Sequence, residues 1–321
     1  MPKDNDYSDL VVVLPALNEE LAITPTIERI QKTCPGAEIV LVDNGSSDNT
    51  VKVAETLGIK VVLEPQRGKG FAVRKGFLSV GKNHRYVFMV DADDTYGLES
   101  IDQAIELVNK HGYDMVVGTR IESDEIEPGR KVSYKRGHSL GNAILTFIGR
   151  KLHKVEIKDS LSGWRLMSVN FVNSFPGGAS GFEIEAELNA HAYLISAGVT
   201  NVEISYRGRD INSHSKLNTY RDGIKILRMN LSLFRDNRPQ LAFSLFALPW
   251  LFASTMLISR AWLGYVNTGL VEQFPSLIAG IGSLIVAGLL LTSGIVLQRI
   301  KLMRSNILRF EYQRFSNSAS I

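Results

Sequence analysis

The sequence predicts an α/β fold, with a mostly parallel sheet covered by helices on both faces, followed by a two-helix membrane hairpin. One observation behind this prediction is the alternation of short β-rich apolar runs with helical patterns over residues 10–117, which is typical of parallel sheets. The other is a pair of uncharged apolar runs, Leu241–Ile258 with 18 residues and Ser276–Leu297 with 22. A bilayer core of about 30 Å needs roughly 20 helical residues, so both runs are candidate membrane spans.

Strands and helices alternate through the first half of the chain. Five apolar runs predict strands, namely Leu10–Leu14, Ile39–Val42, Val61–Leu63, Tyr86–Val90 and Met115–Val117. Four stretches between them predict helices, namely Glu19–Thr33, Asp48–Leu57, Gly70–Val80 and Leu98–Lys110. Ligands of such sheets bind beyond the carboxyl ends of the strands. A functional site is therefore expected in the loops at 15–18, 43–48 and 91–96.

Residues 118–240 are less regular. The predicted elements are, in order, a loop over Glu122–Arg136, helices at Ser139–Leu152 and Phe182–Ala197, a strand at Thr200–Tyr206, a polar stretch over Arg207–Asn218, and a basic amphipathic helix over Asn218–Arg238. The last helix fits a membrane surface, and it fits an ordinary surface helix packed on the domain equally well.

These patterns divide the chain into four regions. They are a globular domain over 1–217, the amphipathic juxtamembrane helix over 218–240, the hairpin over 241–298 with spans at about 241–262 and 275–298, and a basic tail over 299–321. Basic residues are in excess on both outer ends of the hairpin, so the domain and both termini are expected in the cytoplasm, on a multi-pass protein of the inner or plasma membrane or its endoplasmic-reticulum equivalent.

Composition excludes several classes of protein. The single cysteine, Cys34, cannot form an internal disulfide or a Cys-rich zinc site, and it fits a reducing compartment. The first apolar run contains Pro15 and lacks the basic flank of a signal peptide. A net charge of +3 is too small to argue for a nucleic-acid partner.

The segment Asp91-Ala92-Asp93-Asp94 carries the strongest chemical signal, because it places acids just after a buried strand. Oxygen-only ligands suit Mg²⁺ or Mn²⁺, and Mg²⁺ prefers few carboxylates together with substrate phosphates. The alternative interpretation is a pair of solvated loop acids, and the spacing alone does not decide between them.

Two other loops of the same predicted sheet edge are polar. In Asp43-Asn44-Gly45-Ser46-Ser47-Asp48, Asp43 could accept hydrogen bonds from a base or ribose, although a plain turn fits as well. In the loop of Pro15, Asn18 and Glu19, helix capping is the plain alternative.

Cations follow in several places along the chain. Arg67-Gly68-Lys69-Gly70 can bring a cation and a close backbone to a diphosphate at a helix N-terminus, whereas the P-loop and dinucleotide fingerprints are absent. Three more patches are Gly118-Thr119-Arg120, Asp159–Arg165, and Arg207–Arg209 with Ser213–Leu217. Each cation alone is a surface charge, but together they predict a site for two phosphorylated molecules.

In this order the motifs resemble glycosyltransferase family 2, and within it the polyprenyl-phosphate sugar synthases such as dolichyl-phosphate mannose and glucose synthases. The resemblance covers about residues 9–235. It is carried by seven motifs, namely Pro15–Glu19, Asp43–Thr50, Arg67–Gly76, Asp91–Asp93, Asp159–Arg165, Gly181–Glu187 and Arg209–Leu217.

The resemblance implies a GT-A fold and an inverting transfer of a hexose from a nucleoside-diphosphate sugar to a membrane polyprenyl phosphate. It implies that the nucleotide sugar is bound by Pro15, Asn18, Glu19, Asp43, Gly45, Lys69 and Asp91. It implies that Asp91 and Asp93 hold the Mg²⁺ or Mn²⁺ ion, and that Arg120, Arg136, Arg209 and Lys216 contact phosphate, with Arg207 competing for the place of Arg209.

The chain departs from the family pattern at two positions. Asn44 replaces the second acid of an Asp-Asp-Gly-Ser motif, which leaves the base open between uridine, the first choice, and guanosine. Thr95 replaces a metal-supporting Gln, so water would complete the coordination sphere. The hairpin could associate with a second copy through Gly280, Gly282 and Gly288.

Three rival functions are weighed against this one. One is a family 2 enzyme with a non-lipid acceptor. Among these, a processive polysaccharide synthase typically carries a Gln-x-x-Arg-Trp motif and more spans, and neither is present in this sequence. A membrane-anchored, non-catalytic nucleotide-sugar-binding protein would not need intact Asp91 and Asp93. A nucleotidyltransferase would release diphosphate from a nucleoside triphosphate.

Overall fold

The computed structural model describes residues 6–122, 130–131, 157–207, 209–210, 224, 228, 231–232, 234–236, 238–271 and 273–318. The chain divides into two compact units. The first consists of Met1–Asn230 together with Leu308–Ile321, and the second of Leu231–Ile307. The helix predicted at 139–152 lies outside the described residues, as does most of the loop predicted at 122–136.

A seven-stranded sheet lies at the centre of the first unit. Its strands are β1 (Leu10–Ala16), β2 (Glu38–Asp43), β3 (Lys60–Leu63), β4 (Tyr86–Met89), β5 (Met115–Glu122), β7 (Arg165–Ser168) and β8 (Val199–Tyr206), in the order β3-β2-β1-β4-β7-β5-β8. All of them run parallel except β7, which is antiparallel to both β4 and β5. The strand β6 (Arg130–Lys131) pairs with β9 (Arg209–Asp210) in a second sheet. The predicted α/β class is confirmed, whereas β7 is a strand that the sequence patterns do not indicate.

All but one of the helices listed here for the first unit begin and end close to the predicted positions, and the short helix at Val169–Asn173 is one that the sequence patterns do not indicate. The helices are α1 (Glu20–Thr33), α2 (Thr50–Thr56), α3 (Lys69–Phe77), α4 (Ile101–His111), α5 (Val169–Asn173) and α6 (Ile184–Ile195). In 218–238, the residues that the structure describes at 224, 228, 231, 232 and 234–236 are helical.

The sheet buries apolar side chains on both faces. One cluster joins Ile23 and Ile27 of α1 and Ile101 of α4 to alternate residues of β1 and β4. The other joins α3 and α6, including Phe77 and Leu188, to the opposite set of strand residues. Since successive strand side chains point to opposite faces, helices must cover both faces, as the sequence predicts.

The segment after the second apolar run, predicted as a basic tail over 299–321, makes contacts within the first unit. The last long helix, α8 (Phe274–Ser318), continues through it. Leu308 is only 7% exposed and belongs to the second core cluster. Tyr312 donates a hydrogen bond to Asp114, and Arg309 donates one to Ser196. Part of the segment that its charges predict as a basic tail therefore packs within the first unit.

The second unit contains α7 (Pro239–Thr268) and α8 up to Ile307. Both helices are long and apolar enough to cross a membrane by length and composition. Inside this unit Gly280 and Gly294 lie at the contact between the helices, because an added Cβ would be 2.7 Å from Ile258 and 3.0 Å from Phe243. Gly282 has no such neighbour within 4 Å among the described residues.

Candidate active site

The carboxyl ends of β1, β2, β4 and β5 meet at one edge of the sheet, because these strands are parallel. β7 runs the other way, so its amino end, preceded by Gly163 and Trp164, reaches the same edge. The fold thus gathers the acidic, glycine-rich and basic segments that the sequence singles out. The site is built at this edge of the sheet.

Asp91 and Asp93 follow β4 directly and differ in their partners. Asp93 is 5% exposed, and its Oδ1 accepts hydrogen bonds from the Thr95 hydroxyl at 2.6 Å and the Thr95 N–H at 3.3 Å. Asp91 Oδ1 lies 2.6 Å from the Lys69 ammonium. Thr95 therefore orients the second carboxylate, a role that its short hydroxyl side chain can fill where a Gln is expected.

Asp94, the third acid of the segment, forms an ion pair with Arg29. The residue has a left-handed φ of 55°, and the Arg29 Nη2 lies 2.9 Å from Asp94 Oδ1. The same guanidinium donates to the Tyr96 carbonyl at 2.7 Å. Asp94 thus holds the loop in place, and Asp91 and Asp93 remain as the pair for a cation.

A divalent cation fits this pair. Gly163 faces Asp91, and a Cβ added there would be 2.7 Å from Asp91 Oδ2, so the glycine leaves space beside that oxygen. Among the described residues no group of three or more His, Cys, Asp or Glu side chains could hold a metal. Two carboxylates with space beside Asp91 Oδ2 match a Mg²⁺ or Mn²⁺ ion that takes its other ligands from water and phosphate.

Lys69 is enclosed at the start of α3. Its ammonium contacts Asp91 and also Glu185, whose Oε1 is 2.7 Å away, and its side chain is 10% exposed. Burial works to lower the pKa of Lys69, but the two carboxylates outweigh it and raise the pKa above its ordinary value. Lys69 therefore carries a positive charge beside Asp91, one of the two carboxylates that could hold a cation.

The backbone around Lys69 packs closely on the loop before α6. A Cβ on Gly68 would be 2.0 Å from the Ser180 carbonyl oxygen, and one on Gly70 would be 2.2 Å from that of Ala179. The Gly70 N–H donates to the Ser180 carbonyl at 3.1 Å. The two glycines allow the backbone at 68–70 to lie this close to the backbone of Ala179 and Ser180. This contact fixes the position of the Lys69 backbone.

The loops after β1 and β2 interlock beside the metal pair. Asp43 accepts hydrogen bonds from the N–H groups of Gly45 and Ser46 at 3.1–3.3 Å. Asn18 has a left-handed φ of 50° and accepts a hydrogen bond from the Ser47 N–H at 2.7 Å. Asn18 therefore bridges the loops instead of capping α1.

Pro15 and Glu19 complete this group of predicted nucleotide ligands. Pro15 lies in β1 opposite Val42. Glu19 is 9% exposed, its N–H donates to the Thr50 hydroxyl at 2.8 Å, and it stands at the N-cap of α1 without a side-chain capping bond. The structure brings Pro15, Asn18, Glu19, Asp43 and Gly45 together at one rim of the edge.

Asn44 connects this rim to the glycine loop. Its amide donates to the carbonyls of Glu64 at 3.3 Å and Gln66 at 2.7 Å, and its Oδ1 accepts the Gly68 N–H at 2.6 Å. A carboxylate could accept the last bond but could not donate the other two. Asn44 is thus a structural tie between β2 and the Lys69 loop.

Replacing Asn44 with Asp is expected to destabilise the first unit by about 2 kcal/mol, because a buried carboxylate would face two carbonyl oxygens without a proton to donate. The measurement is thermal unfolding of the full chain in detergent. The control is Asn109→Asp at an exposed position, where the side-chain oxygen accepts a hydrogen bond from Arg85 that a carboxylate keeps. Unchanged unfolding of the Asn44→Asp variant would contradict the role of Asn44.

The predicted phosphate cations are placed unevenly. Arg120 forms a bidentate pair with Asp159, with its Nε 2.6 Å from Oδ2 and its Nη2 2.9 Å from Oδ1. Arg209 lies in β9, and only its backbone is described. Arg136 and Lys216 lie outside the described residues. Among these four cations, the described structure thus shows only the Arg120 side chain at the carboxyl edge of the sheet, where its guanidinium is paired with the Asp159 carboxylate.

Three residues of the site have partners that the sequence does not indicate, although each lies in a segment that the sequence singles out. Glu185 pairs with Lys69, and Asp159 pairs with Arg120. Arg165 is fully buried and donates to the carbonyls of Ser160 and Ser162 and to Asn189 Oδ1. Burial lowers the pKa of Arg165 to about 10, against opposing effects of Glu185 and Asp159. Arg165 therefore holds the backbone of the 159–163 loop through hydrogen bonds to its carbonyl groups.

Comparison with known proteins gives consistent results. The model of the family "Glycosyl transferase family 2" matches residues 11–173. The hexosyltransferase Agl6 of low-salt glycan biosynthesis in Haloferax volcanii is 29% identical over 81% of this chain, and the alignment covers 62% of Agl6, which is less than two thirds of its length. The dolichyl-phosphate hexose transferase of the same organism is 28% identical over 73% of this chain and 98% of that protein.

The fold also matches solved structures. Glucosyl-3-phosphoglycerate synthase from Mycobacterium tuberculosis, in complex with Mn²⁺ and uridine-diphosphate-glucose, superposes with a TM-score of 0.56 and 21% sequence identity. The match covers 70% of this chain and 78% of that one. At this identity the likeness concerns the fold, and it agrees with the sheet order described above.

Proposed function

This chain belongs to glycosyltransferase family 2, and we propose that it transfers a hexose from a nucleoside-diphosphate sugar to a membrane polyprenyl phosphate, with inversion at the sugar carbon. The observation that carries the proposal is the Asp91–Asp93 pair beside Lys69, in a chain that also has two helices able to cross a membrane. The similarity to a dolichyl-phosphate hexose transferase supports a lipid-phosphate acceptor.

The loops after β1 and β2 are proposed to hold the nucleotide. Pro15, Asn18, Glu19, Asp43 and Gly45 line one rim, and the Asp43 carboxylate suits the hydroxyl or N–H donors of a ribose or base. The uridine nucleotide in the glucosyl-3-phosphoglycerate synthase supports a UDP-hexose as the first donor to test, with a GDP-hexose second.

The donor's diphosphate is proposed to lie between the metal pair and Lys69. Asp91 and Asp93 would hold Mg²⁺ or Mn²⁺, and the Mn²⁺ in the glucosyl-3-phosphoglycerate synthase supports such an ion. When bound, this ion supplies positive charge that stabilises the leaving nucleoside diphosphate. Lys69 adds a fixed charge at the same place, oriented before the donor arrives.

The acceptor requires positioning and charge neutralisation. A phosphate monoester has a second pKa near 6 and is an anion at neutral pH, so no side chain must remove a proton from it. Arg120, Arg136, Arg209 and Lys216 are proposed to contact this phosphate, with Arg207 as the alternative to Arg209. Arg120 would then divide its donors between Asp159 and the phosphate.

The chain's apolar helices are proposed to anchor it where such an acceptor lies. The hairpin over 241–298 would keep the enzyme at the bilayer that holds the lipid tail, and the basic helix over 218–240 would face anionic headgroups. The domain over 1–217, the tail over 299–321 and both termini are assigned to the cytoplasm by the positive-inside rule. Self-association through the hairpin fits the same arrangement.

The test is the transfer of labelled sugar from a panel of UDP- and GDP-hexoses to undecaprenyl phosphate in detergent, with Mn²⁺ or Mg²⁺. One donor is expected to give a metal-dependent, organic-soluble product, and Asp93→Ala is expected to abolish it. Transfer to a soluble acceptor alone would identify a family 2 enzyme with another acceptor. Nucleotide-sugar binding without turnover on any acceptor would identify a non-catalytic binding protein.

A further inference from the structure

We infer that Glu185 is a positioning residue for the donor site, which draws the Lys69 ammonium partly away from Asp91 and so keeps Asp91 available to the divalent cation. This inference rests on the proposed function. The observation behind it is a buried chain of three charges, in which the Lys69 Nζ lies 2.6 Å from Asp91 Oδ1 and 2.7 Å from Glu185 Oε1.

The two carboxylates differ in what they can reach. Asp91 is 23% exposed and has space beside its Oδ2 at Gly163, so it can contact a bound cation as well as Lys69. Glu185 is 3% exposed, and its contact with a charged group in the described residues is with Lys69. Its Oε2 is buried, with no hydrogen-bond partner among the residues described. Glu185 is thus placed to act on the site through Lys69.

Sharing of the ammonium matters because Lys69 and a divalent cation are both attracted to Asp91. With two carboxylates at nearly equal distances, the ammonium is divided between them. Without the charge at Glu185, Asp91 would be the one carboxylate left within ion-pair distance of Lys69 among the described residues, and Lys69 would compete more strongly with the metal. The affinity for the metal would therefore fall even though neither proposed metal ligand had changed.

The support for Glu185 is rigid. It lies in the first turn of α6, two residues before Glu187, which accepts hydrogen bonds from the N–H groups of Gly178 and Ala179 at 2.8 Å. That loop abuts Gly70, next to Lys69. The Phe182 ring lies 5.6 Å from the ammonium and closes another side. The start of α6 and the loop before it thus position both the backbone of Lys69 and its ammonium. Supporting residues of this kind hold a preorganised site in place.

The experiment measures the apparent dissociation constant of Mn²⁺ at saturating UDP, by electron paramagnetic resonance of the free ion, on the full chain in detergent. Glu185→Gln is expected to raise this constant about tenfold. Glu183→Gln removes a charge from the same helix start, where Glu183 contacts Ser180, and is expected to leave it unchanged. Glu185→Asp keeps the charge and is expected to recover most of the affinity.

A double-mutant cycle with Lys69→Met separates positioning from a direct charge effect. In the Lys69→Met background, Glu185→Gln is expected to change the Mn²⁺ constant less than twofold, because the group through which it acts is gone. An equal effect in both backgrounds would overturn the inference, and so would a Glu185→Gln variant that binds Mn²⁺ like the wild type.

Two further outcomes are distinguishable from these. If the wild-type chain binds neither UDP nor GDP in the presence of Mn²⁺, the proposed donor is wrong and the inference falls with it. Thermal unfolding identifies any variant that does not fold. If Glu185→Gln is one of them, Glu185→Ala takes its place in the cycle. Its loss of Mn²⁺ affinity must vanish in the Lys69→Met background, and wild-type affinity of Glu185→Ala would overturn the inference.

Discussion

Replacing Asp91 with Asn is expected to lower kcat/KM for sugar transfer about a thousandfold, the loss typical when one group that stabilises developing negative charge is removed. The substitution keeps the side-chain shape and removes the charge that Asp91 offers to both the cation and Lys69. The measurement is the initial rate of the proposed transfer over a range of Mn²⁺ concentrations. Added Mn²⁺ is expected to recover little of the rate, because one of the two proposed carboxylate ligands is gone.

The matched control for this substitution is Asp94→Asn. Asp94 lies in the same acidic segment, but it pairs with Arg29. Its loss breaks a buried ion pair and is expected to lower stability, but to leave kcat/KM within about threefold, since the Thr95–Asp93 and Arg29–Tyr96 hydrogen bonds also hold the loop. Equal losses of activity for Asp91→Asn and Asp94→Asn would contradict the assignment of the pair, because the acids would then share one structural role.

Gly70→Ala is expected to reduce transfer about a hundredfold while the chain still folds. The added Cβ would be 2.2 Å from the Ala179 carbonyl oxygen, which is backbone and cannot rotate away. The loop must therefore shift, and Lys69 shifts with it. A displacement of about 1 Å in a catalytic group can cost a hundredfold in rate. Steady-state kinetics with the donor identified in the transfer assay give the measurement.

Gly264→Ala is the control for the glycine substitution, because a Cβ added at that helical position meets nothing within 4 Å. It is expected to leave the rate unchanged. If Gly70→Ala keeps the wild-type rate, then the close approach of the Lys69 loop to Ala179 does not govern catalysis, and the position of Lys69 is set by its ion pairs alone.

Local patterns were sufficient where neighbours in sequence decide the structure. The strands from β1 to β5 and the helices between them follow from runs of apolar residues. The central strands β1, β2 and β4 show why, because strands buried on both faces need side chains that are apolar throughout. The segment of Asp91 and Asp93 was also visible locally, since acids directly after a buried strand must lie at the edge of the sheet. These predictions depend on short stretches of chain.

The missed features depend on partners that are distant in sequence. β7 begins with Arg165, a residue type that signals solvent, yet its guanidinium is buried because carbonyls of the preceding loop and Asn189 surround it. Arg120 is a plausible phosphate ligand by pattern, but its partner Asp159 lies 39 residues further along the chain. Glu185 lies 116 residues after Lys69 (185 minus 69), and neither segment indicates the other.

The place of Leu308 in the core has a consequence for the order of biosynthesis. Leu308 completes a cluster whose other members precede residue 200, and Tyr312 bonds to Asp114. Both residues are translated after the two uncharged apolar runs, 241–258 and 276–297. The first unit therefore leaves the ribosome without part of its own core, and that part is added only after both runs have been synthesised. Folding of the first unit is thus completed only after the two apolar runs have been translated.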